Sequence, residues 1–140
     1  MIAFRDILFI FIAIAEIVID FSHPHTAKCI KHKGLHIVLF LIFHHLLSSF
    51  MLYGWILPNK KLLFLFIIAN LMMLLEWIVH GHCRLTAYAN DQCGWKPDTP
   101  FRDLMWQLGF KDMYIGKVTL HVILAVVFLL LGIYLYRRKD

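Results

Sequence analysis

Charged residues are scarce in this chain: 16% of its 140 amino acids are Asp, Glu, Lys or Arg. A soluble domain of ordinary composition has about 25% charged residues and about half apolar ones, whereas 61% of this chain is hydrophobic. The sequence also lacks internal repeats, low-complexity tracts, a glycine-rich nucleotide-binding motif and an Asn-x-Ser/Thr sequon. We therefore predict a membrane protein, and at this length we expect one domain without a separate soluble catalytic unit.

Four apolar stretches are long enough to cross a bilayer as helices, because a crossing needs about 20 residues. They are Ile2 to Phe21, Leu35 to Leu57, Leu62 to Val79 and Val118 to Tyr136. Backbone polar groups in hydrocarbon must be satisfied within their own segment, so each stretch is predicted to be helical. A secretory signal is the competing interpretation of the first stretch, but Glu16 and Asp20 interrupt its apolar region and no small-x-small cleavage site follows.

The connections between these stretches differ in length. Pro58 and Asn59 break the chain between the second and third stretches, which predicts an antiparallel hairpin. The linker 21–34 is short and polar, and residues 80–117 form the only sizeable connection outside the membrane. Within that connection an apolar stripe at i, i+3, i+4 and i+7 predicts an amphipathic helix over Phe101 to Leu108, lying in the membrane interface.

The predicted fold is therefore all-α: an antiparallel four-helix transmembrane bundle with one interfacial amphipathic helix, in a single membrane domain. We call one surface the A side, which holds both termini and residues 58–61, and the other the B side, which holds residues 22–34 and 80–117. Lys and Arg are denser on the A side, which predicts cytosolic termini by the positive-inside rule. The net charge of +5 is interpreted as membrane anchoring, and we expect the lipid bilayer as partner and no nucleic acid.

Ionisable residues concentrate in the B-side half of the predicted membrane region. All nine histidines fall either there or on the B side itself, and Glu16, Asp20 and Glu76 share this half. At ~1.5 Å per residue from the B-side helix ends, Glu16, Glu76 and His121 lie roughly 6 to 8 Å deep. Glu16 and Asp20 are spaced i, i+4, as are Glu76 and His80, so each pair shares a helix face. A carboxylate in the bilayer centre costs about 2.5 to 3.5 kcal/mol, so we expect these groups to be neutralised.

Several arrangements would neutralise them. In the first, Glu16, His44, Glu76, His80 and His121 bind Zn²⁺ or Fe, as helix bundles do with Glu and Glu-x-x-His pairs. In the second, two histidines such as His44 and His121 ligate a haem. In the third, the same residues form hydrogen-bonded pairs that join helices, worth about 1 to 2 kcal/mol each. Proton or pH sensing is a fourth, since histidine titrates near neutrality.

These hypotheses share a geometric expectation. At least three of Glu16, Glu76, His80 and His121 should lie within hydrogen-bonding or shared-ligand distance, with His44 approaching from deeper in the membrane. His45 directly follows His44 in the sequence. Neighbouring residues of a helix point about 100° apart, so at most one of these two histidines is expected to face the bundle axis.

The cysteines, Cys29, Cys83 and Cys93, all lie on the B side. If that side is luminal or periplasmic, a disulfide between Cys83 and Cys93 with the third cysteine left free is one interpretation. If it is cytosolic, all are thiols. Coordination of a metal by Cys83 together with His80 and His82 is a further alternative.

A motif follows the third stretch, composed of Leu75-Glu76-Trp77, then Cys83-Arg84-Leu85-Thr86, then Asn90. It resembles a family of small bacterial integral membrane proteins of uncharacterised function, in which a Glu-bearing apolar helix runs into Cys-Pro-Leu-Thr and then an Asn. Arg84 stands where that family has Pro. The resemblance implies a membrane protein with a structured turn after the third span, and it implies no activity.

Two classes of function follow from these patterns. The first is a small polytopic membrane protein whose His/Glu cluster binds a metal ion. As an enzyme, it would carry out metal-assisted hydrolysis or oxidation of a lipid-like substrate, with Glu76 as ligand or general base. The second is a non-catalytic membrane or assembly protein whose polar residues only pack helices. Either class is compatible with a homo-oligomer.

Overall fold

The structure is a computed structural model that describes residues 4–57, 59–96, 99 and 120–138. Those residues form α-helices and a 3-10 turn, with no strand among them. The helices are α1 (Phe4–Ser22), α2 (Pro24–Lys33), α3 (Leu35–Tyr53), α4 (Lys60–His80), α5 (Arg84–Gln92) and α6 (Leu120–Arg137), and the 3-10 turn is Gly54–Ile56. The predicted all-α class is confirmed. The amphipathic helix predicted for Phe101 to Leu108 lies outside the described residues.

Two of the described helices are long and apolar enough to cross a membrane. One is the 22-residue segment Leu35–Ile56, which joins α3 to the 3-10 turn, and the other is the 21-residue α4. Their bounds agree closely with the second and third predicted stretches. Asn59, expected to break the chain here, caps α4, because its side-chain oxygen accepts a hydrogen bond from the backbone N–H of Lys61 at 2.8 Å.

Two short helices, α2 and α5, occupy segments that were predicted to be connections. α2 fills most of the polar linker 21–34, with Pro24 at its first turn, where a missing N–H costs no hydrogen bond. α5 begins after Gly81, whose φ of 70° closes the end of α4 in the left-handed conformation. Neither helix has a strong apolar stripe in its sequence. Each is instead stabilised by the few residues that it buries against neighbouring helices.

The helices pack as antiparallel neighbours. Glu16 and Asp20 of α1 contact Ser49 and His45 of α3 respectively, so residue numbers rise along one helix as they fall along the other. In the next pair, Asn70 of α4 donates from Nδ2 to the carbonyl of Met51 in α3 at 3.3 Å.

The last pair is formed by α4 and α6. The rings of Phe64 and Tyr136 lie 6.3 Å apart and those of Phe66 and Phe128 lie 6.5 Å apart, again in opposite directions along the chain. The start of α1, the turn before α4 and the end of α6 therefore lie at the same end of the molecule. α2 and α5 lie at the other end, against one apolar cluster: Cys29, Ile37, Leu41 and Ala89.

α1 and α3 bury polar residues and expose apolar ones. In α1, Glu16 is 0% exposed and Asp20 is 3% exposed, whereas Phe11 is 69% exposed. In α3 the buried face continues from Ile37 and Leu41 into histidines and serines, while Phe43 is 54% exposed. An amphipathic helix on the surface of a water-soluble protein has the opposite distribution.

Candidate functional site

The site is a buried polar core, which we define as Glu16, Asp20, Thr26, His45 and Ser49. All five side chains are 0 to 3% exposed. The two carboxylates come from α1, the threonine from α2, and the imidazole and serine from α3. The core therefore joins three helices at the level where α1 approaches the B-side end of the molecule.

Asp20 is the centre of the polar core. Its Oδ1 accepts a hydrogen bond from Thr26 Oγ1 at 2.9 Å, and its Oδ2 lies 3.0 Å from His45 Nε2. An ionised carboxylate only accepts hydrogen bonds, so Nε2 is the donor in that state. One side chain thus links α1 to both α2 and α3.

Glu16 lies one helical turn before Asp20 on the same face of α1. Its Oε2 accepts a hydrogen bond from Ser49 Oγ at 2.6 Å. Ser49 in turn lies one turn after His45 in α3, so two i, i+4 pairs face each other in antiparallel register. The arrangement places an acceptor of one helix opposite a donor of the other at two successive levels.

His44 contacts a different helix from His45. Its Nε2 lies 3.3 Å from Thr86 Oγ1 in α5, and its ring stacks on Phe40 with centroids 6.3 Å apart. Both histidines are buried, at 4% and 0% exposure. The two histidines thus lie on different faces of α3, His45 toward α1 and His44 toward α5.

Glu76 pairs with Arg84 outside the polar core. Arg84 donates from Nε to Oε2 at 2.9 Å and from Nη2 to Oε1 at 2.6 Å. The left-handed turn at Gly81 folds α5 back toward α4 and so brings the two side chains together. The hydrogen bonds that Arg84 donates to Glu76 raise the pKa of Arg84, which stays positively charged. Arg84 is the residue that departs from the Cys-Pro-Leu-Thr pattern.

The disulfide joins Cys29 of α2 to Cys93 at the end of α5, with Cα atoms 5.2 Å apart. Cys83 is a buried free thiol. The predicted alternative of a Cys83–Cys93 bond was wrong, because nine helical residues separate these cysteines. That length spans about 14 Å, whereas bonded cysteines have Cα atoms within about 7 Å.

The predicted metal ligands have separate partners in the described part of the chain. Glu16 bonds to Ser49, His44 contacts Thr86, and Glu76 pairs with Arg84; His80 is exposed. No group of three or more His, Cys, Asp or Glu among the described residues is placed to hold a metal ion. The side chain of His121 is not part of the described structure. The predicted haem ligation by His44 and His121 therefore stays a prediction.

Thr26, His45 and Ser49 were not among the predicted site residues, and Asp20 appeared only as a neighbour of Glu16. The spacing of His45 and Ser49 matches that of Glu16 and Asp20, and this match is the signal that could have identified them. Thr26 carries no such signal, because it lies in a segment predicted to be a connection.

No protein-family model matches this chain, and no curated protein or solved structure matches it. The resemblance of residues 75–90 to small bacterial membrane proteins therefore stays a prediction.

Proposed function

We propose that this chain is a non-catalytic multi-pass membrane protein, which crosses the bilayer four times and uses its polar core to hold α1, α2 and α3 together. The observation that carries the proposal is the pairing of each buried carboxylate with donors from another helix. Glu16 is matched by Ser49, and Asp20 is matched by Thr26 and His45. Such pairing supplies hydrogen-bond donors to the buried carboxylate oxygens from within the protein.

The outward surfaces of the helices support the four-span arrangement. α1 differs from α3 and α4 in having four charged residues. Two of them, Glu16 and Asp20, are buried, whereas the apolar residues Ile10, Phe11 and Ile14 are each at least half exposed. Charged residues of membrane helices face the protein interior, and apolar patches of this extent are rare on water-soluble monomers. α6 exposes Val127 and Leu130 in the same way.

Two independent features support cytosolic termini. Lys and Arg are denser on the A side, as the positive-inside rule requires. The Cys29–Cys93 disulfide lies at the opposite end, and disulfides persist in oxidising compartments such as the periplasm, the endoplasmic reticulum lumen or the cell exterior. Both features favour a non-cytosolic location for α2 and α5.

The topology is tested by epitope tags on the two termini and a third tag inserted beside Lys96, in the B-side connection. In sealed vesicles of known orientation, we expect a protease to reach both terminal tags from the cytosolic face and the Lys96 tag from the opposite face. Termini on opposite faces would contradict the four-span arrangement. A detergent-permeabilised sample, in which all tags are digested, is the control.

The structural role of the polar core is tested by metal analysis of the purified full chain. We expect no stoichiometric Zn or Fe and no change in melting temperature when a chelator is added. A stoichiometric metal that is lost in Glu16→Gln would overturn this role and favour the metal-binding hypothesis. A visible spectrum of the same sample tests haem, whose Soret absorption would contradict the proposal equally.

A further inference from the structure

We propose that the outward face of α2 binds the anionic headgroups of phospholipids at the B-side surface of the bilayer. We define this face as His25, Lys28, Lys31 and His32. The proposal rests on the four-span arrangement above and assigns a partner to residues that the polar core leaves unused.

α2 is cationic on one face and held by the protein on the other. Thr26 and Cys29 are its buried residues, and at 100° per residue Lys28 and Lys31 lie on the opposite side of the helix. All four residues of the outward face are exposed. The ten residues of α2 include Lys28, Lys31 and Lys33 and no acidic residue.

Contacts within the protein do not account for these lysines. Among the residues that the structure describes, the ion pairs are His45–Asp20 and Glu76–Arg84, and neither involves a lysine of α2. The helix dipole favours basic residues in the last turn, which applies to Lys31 and Lys33. Lys28 lies in the middle of the helix, where this effect has faded.

The attachment of α2 places it at headgroup level. It begins two residues after α1 ends and finishes two residues before α3 begins, so both of its ends join proposed spans. The Thr26–Asp20 hydrogen bond and the Cys29–Cys93 disulfide fix its inner face against the protein. Its lysines therefore project toward the surrounding lipid surface, where ammonium groups meet lipid phosphates.

The expected preference is moderate and depends on salt. A lysine close to an anionic lipid surface strengthens association by about fivefold. Because Lys28 and Lys31 share the same few headgroups, we expect the overall preference for anionic over zwitterionic lipid to be several-fold, which is less than the product of their two separate effects. Raising the salt concentration should reduce it, since exposed charges are screened over about 10 Å at 0.1 M.

The test uses the full chain reconstituted in phosphatidylcholine bilayers with a trace of spin-labelled phosphatidylglycerol or spin-labelled phosphatidylcholine. Electron spin resonance measures the fraction of each labelled lipid whose motion the protein restricts. We expect phosphatidylglycerol to associate several-fold more strongly than phosphatidylcholine. The double variant Lys28→Gln, Lys31→Gln should reduce that preference at least threefold.

The matched control is Lys60→Gln with Lys61→Gln, which removes charges at the A-side end of α4. We expect this variant to keep most of the preference, and an equal loss in both variants would overturn the assignment to α2. Mass spectrometry after thiol alkylation verifies that the α2 double variant keeps the Cys29–Cys93 bond. An α2 double variant that keeps both the bond and the full preference would also overturn the assignment.

The remaining outcomes separate this inference from the proposed function. If neither labelled lipid is restricted, the chain is not embedded in the bilayer and the four-span proposal fails. If both lipids are restricted equally, the chain is embedded but α2 does not select anionic headgroups. If inorganic phosphate abolishes the preference more strongly than chloride at equal ionic strength, α2 binds small anions instead of lipid.

Discussion

The two outer helix pairs of this protein are held together by different forces. α1 and α3 meet through hydrogen bonds between buried polar side chains, at Glu16–Ser49 and Asp20–His45. α4 and α6 meet through close apolar contact, where a Cβ added to Gly132 would lie 2.9 Å from Ile67 Cγ1 and 3.0 Å from Phe66. The first pair thus depends on matched partners and the second on shape.

The difference reflects what lipid allows. Apolar side chains gain little by leaving lipid for a helix interface, so association in a bilayer relies on close packing at small residues or on hydrogen bonds between helices. The α4–α6 pair uses the first means and the α1–α3 pair uses the second. The disulfide adds a covalent link on the side of the polar pair, through α2 and α5. Four experiments test this division, from the largest expected effect to the smallest.

Removing the disulfide should have the largest effect. Cys29→Ser with Cys93→Ser opens a link across a sequence separation of 64 residues, and disulfides that close loops of this size contribute about 2 to 4 kcal/mol. We expect an equivalent loss of unfolding free energy in a denaturant titration of the detergent-solubilised chain. Cys83→Ser, at the free thiol, is the control. A double variant as stable as this control would show that α2 and α5 are held without the covalent bond.

Enlarging Gly132 should have the next largest effect. Gly132→Leu forces a side chain into the contact with Phe66 and Ile67, and overpacking of this kind costs about 1 to 3 kcal/mol. The control is Val127→Leu on the same helix, where the side chain is 51% exposed and can expand outward. Equal melting temperatures for the two variants would contradict close packing as the basis of the α4–α6 pair.

The Asp20–His45 contact should contribute a smaller, measurable coupling. A double-mutant cycle of Asp20→Asn and His45→Gln should give about 0.6 to 1.7 kcal/mol, the range for hydrogen bonds between membrane helices. A control cycle with Ser22→Ala in place of His45→Gln should give no coupling, because Ser22 bonds to the carbonyl of Val18 in its own helix. Coupling in both cycles would argue against a specific contact.

The Glu76–Arg84 pair should matter least. Arg84 is 66% exposed, and exposed ion pairs add little to stability, so we expect Glu76→Gln to unfold at the temperature of the unaltered chain. The same variant tests the metal hypothesis, since loss of a metal ligand would lower the melting temperature to that of the chelated protein. If Glu76→Gln lowered the free energy of unfolding by more than the Asp20–His45 coupling energy, the ranking of the two contacts would be reversed.

The long helices are the elements that the sequence predicts most accurately. Their positions follow from uninterrupted apolar runs, so α3 and α4 lie close to their predicted bounds. α2 and α5 were predicted as connections, because their sequences lack a helical apolar stripe. Their stability comes from Thr26, Cys29 and Ala89, which are buried only once the long helices have packed.

The buried carboxylates were recognised from the sequence but their partners were not. Spacing along a helix shows that Glu16 and Asp20 share a face, and it shows the same for Glu76 and His80. It does not show which helix each face meets. Glu76 was therefore grouped with Glu16 by depth, whereas the turn at Gly81 brings Arg84 to Glu76 instead.

The sequence by itself determined the all-helical class and the positions of α3 and α4, because those runs are apolar at a length that bridges hydrocarbon and their backbone groups bond only within the helix. Tertiary structure decided the contacts between helices. It matched Asp20 with His45 and Thr26, chose Cys29 rather than Cys83 as the partner of Cys93, and turned α5 over His44. The physical reason is that helical periodicity fixes the direction of a side chain within its own helix, while its partner depends on how separate helices pack.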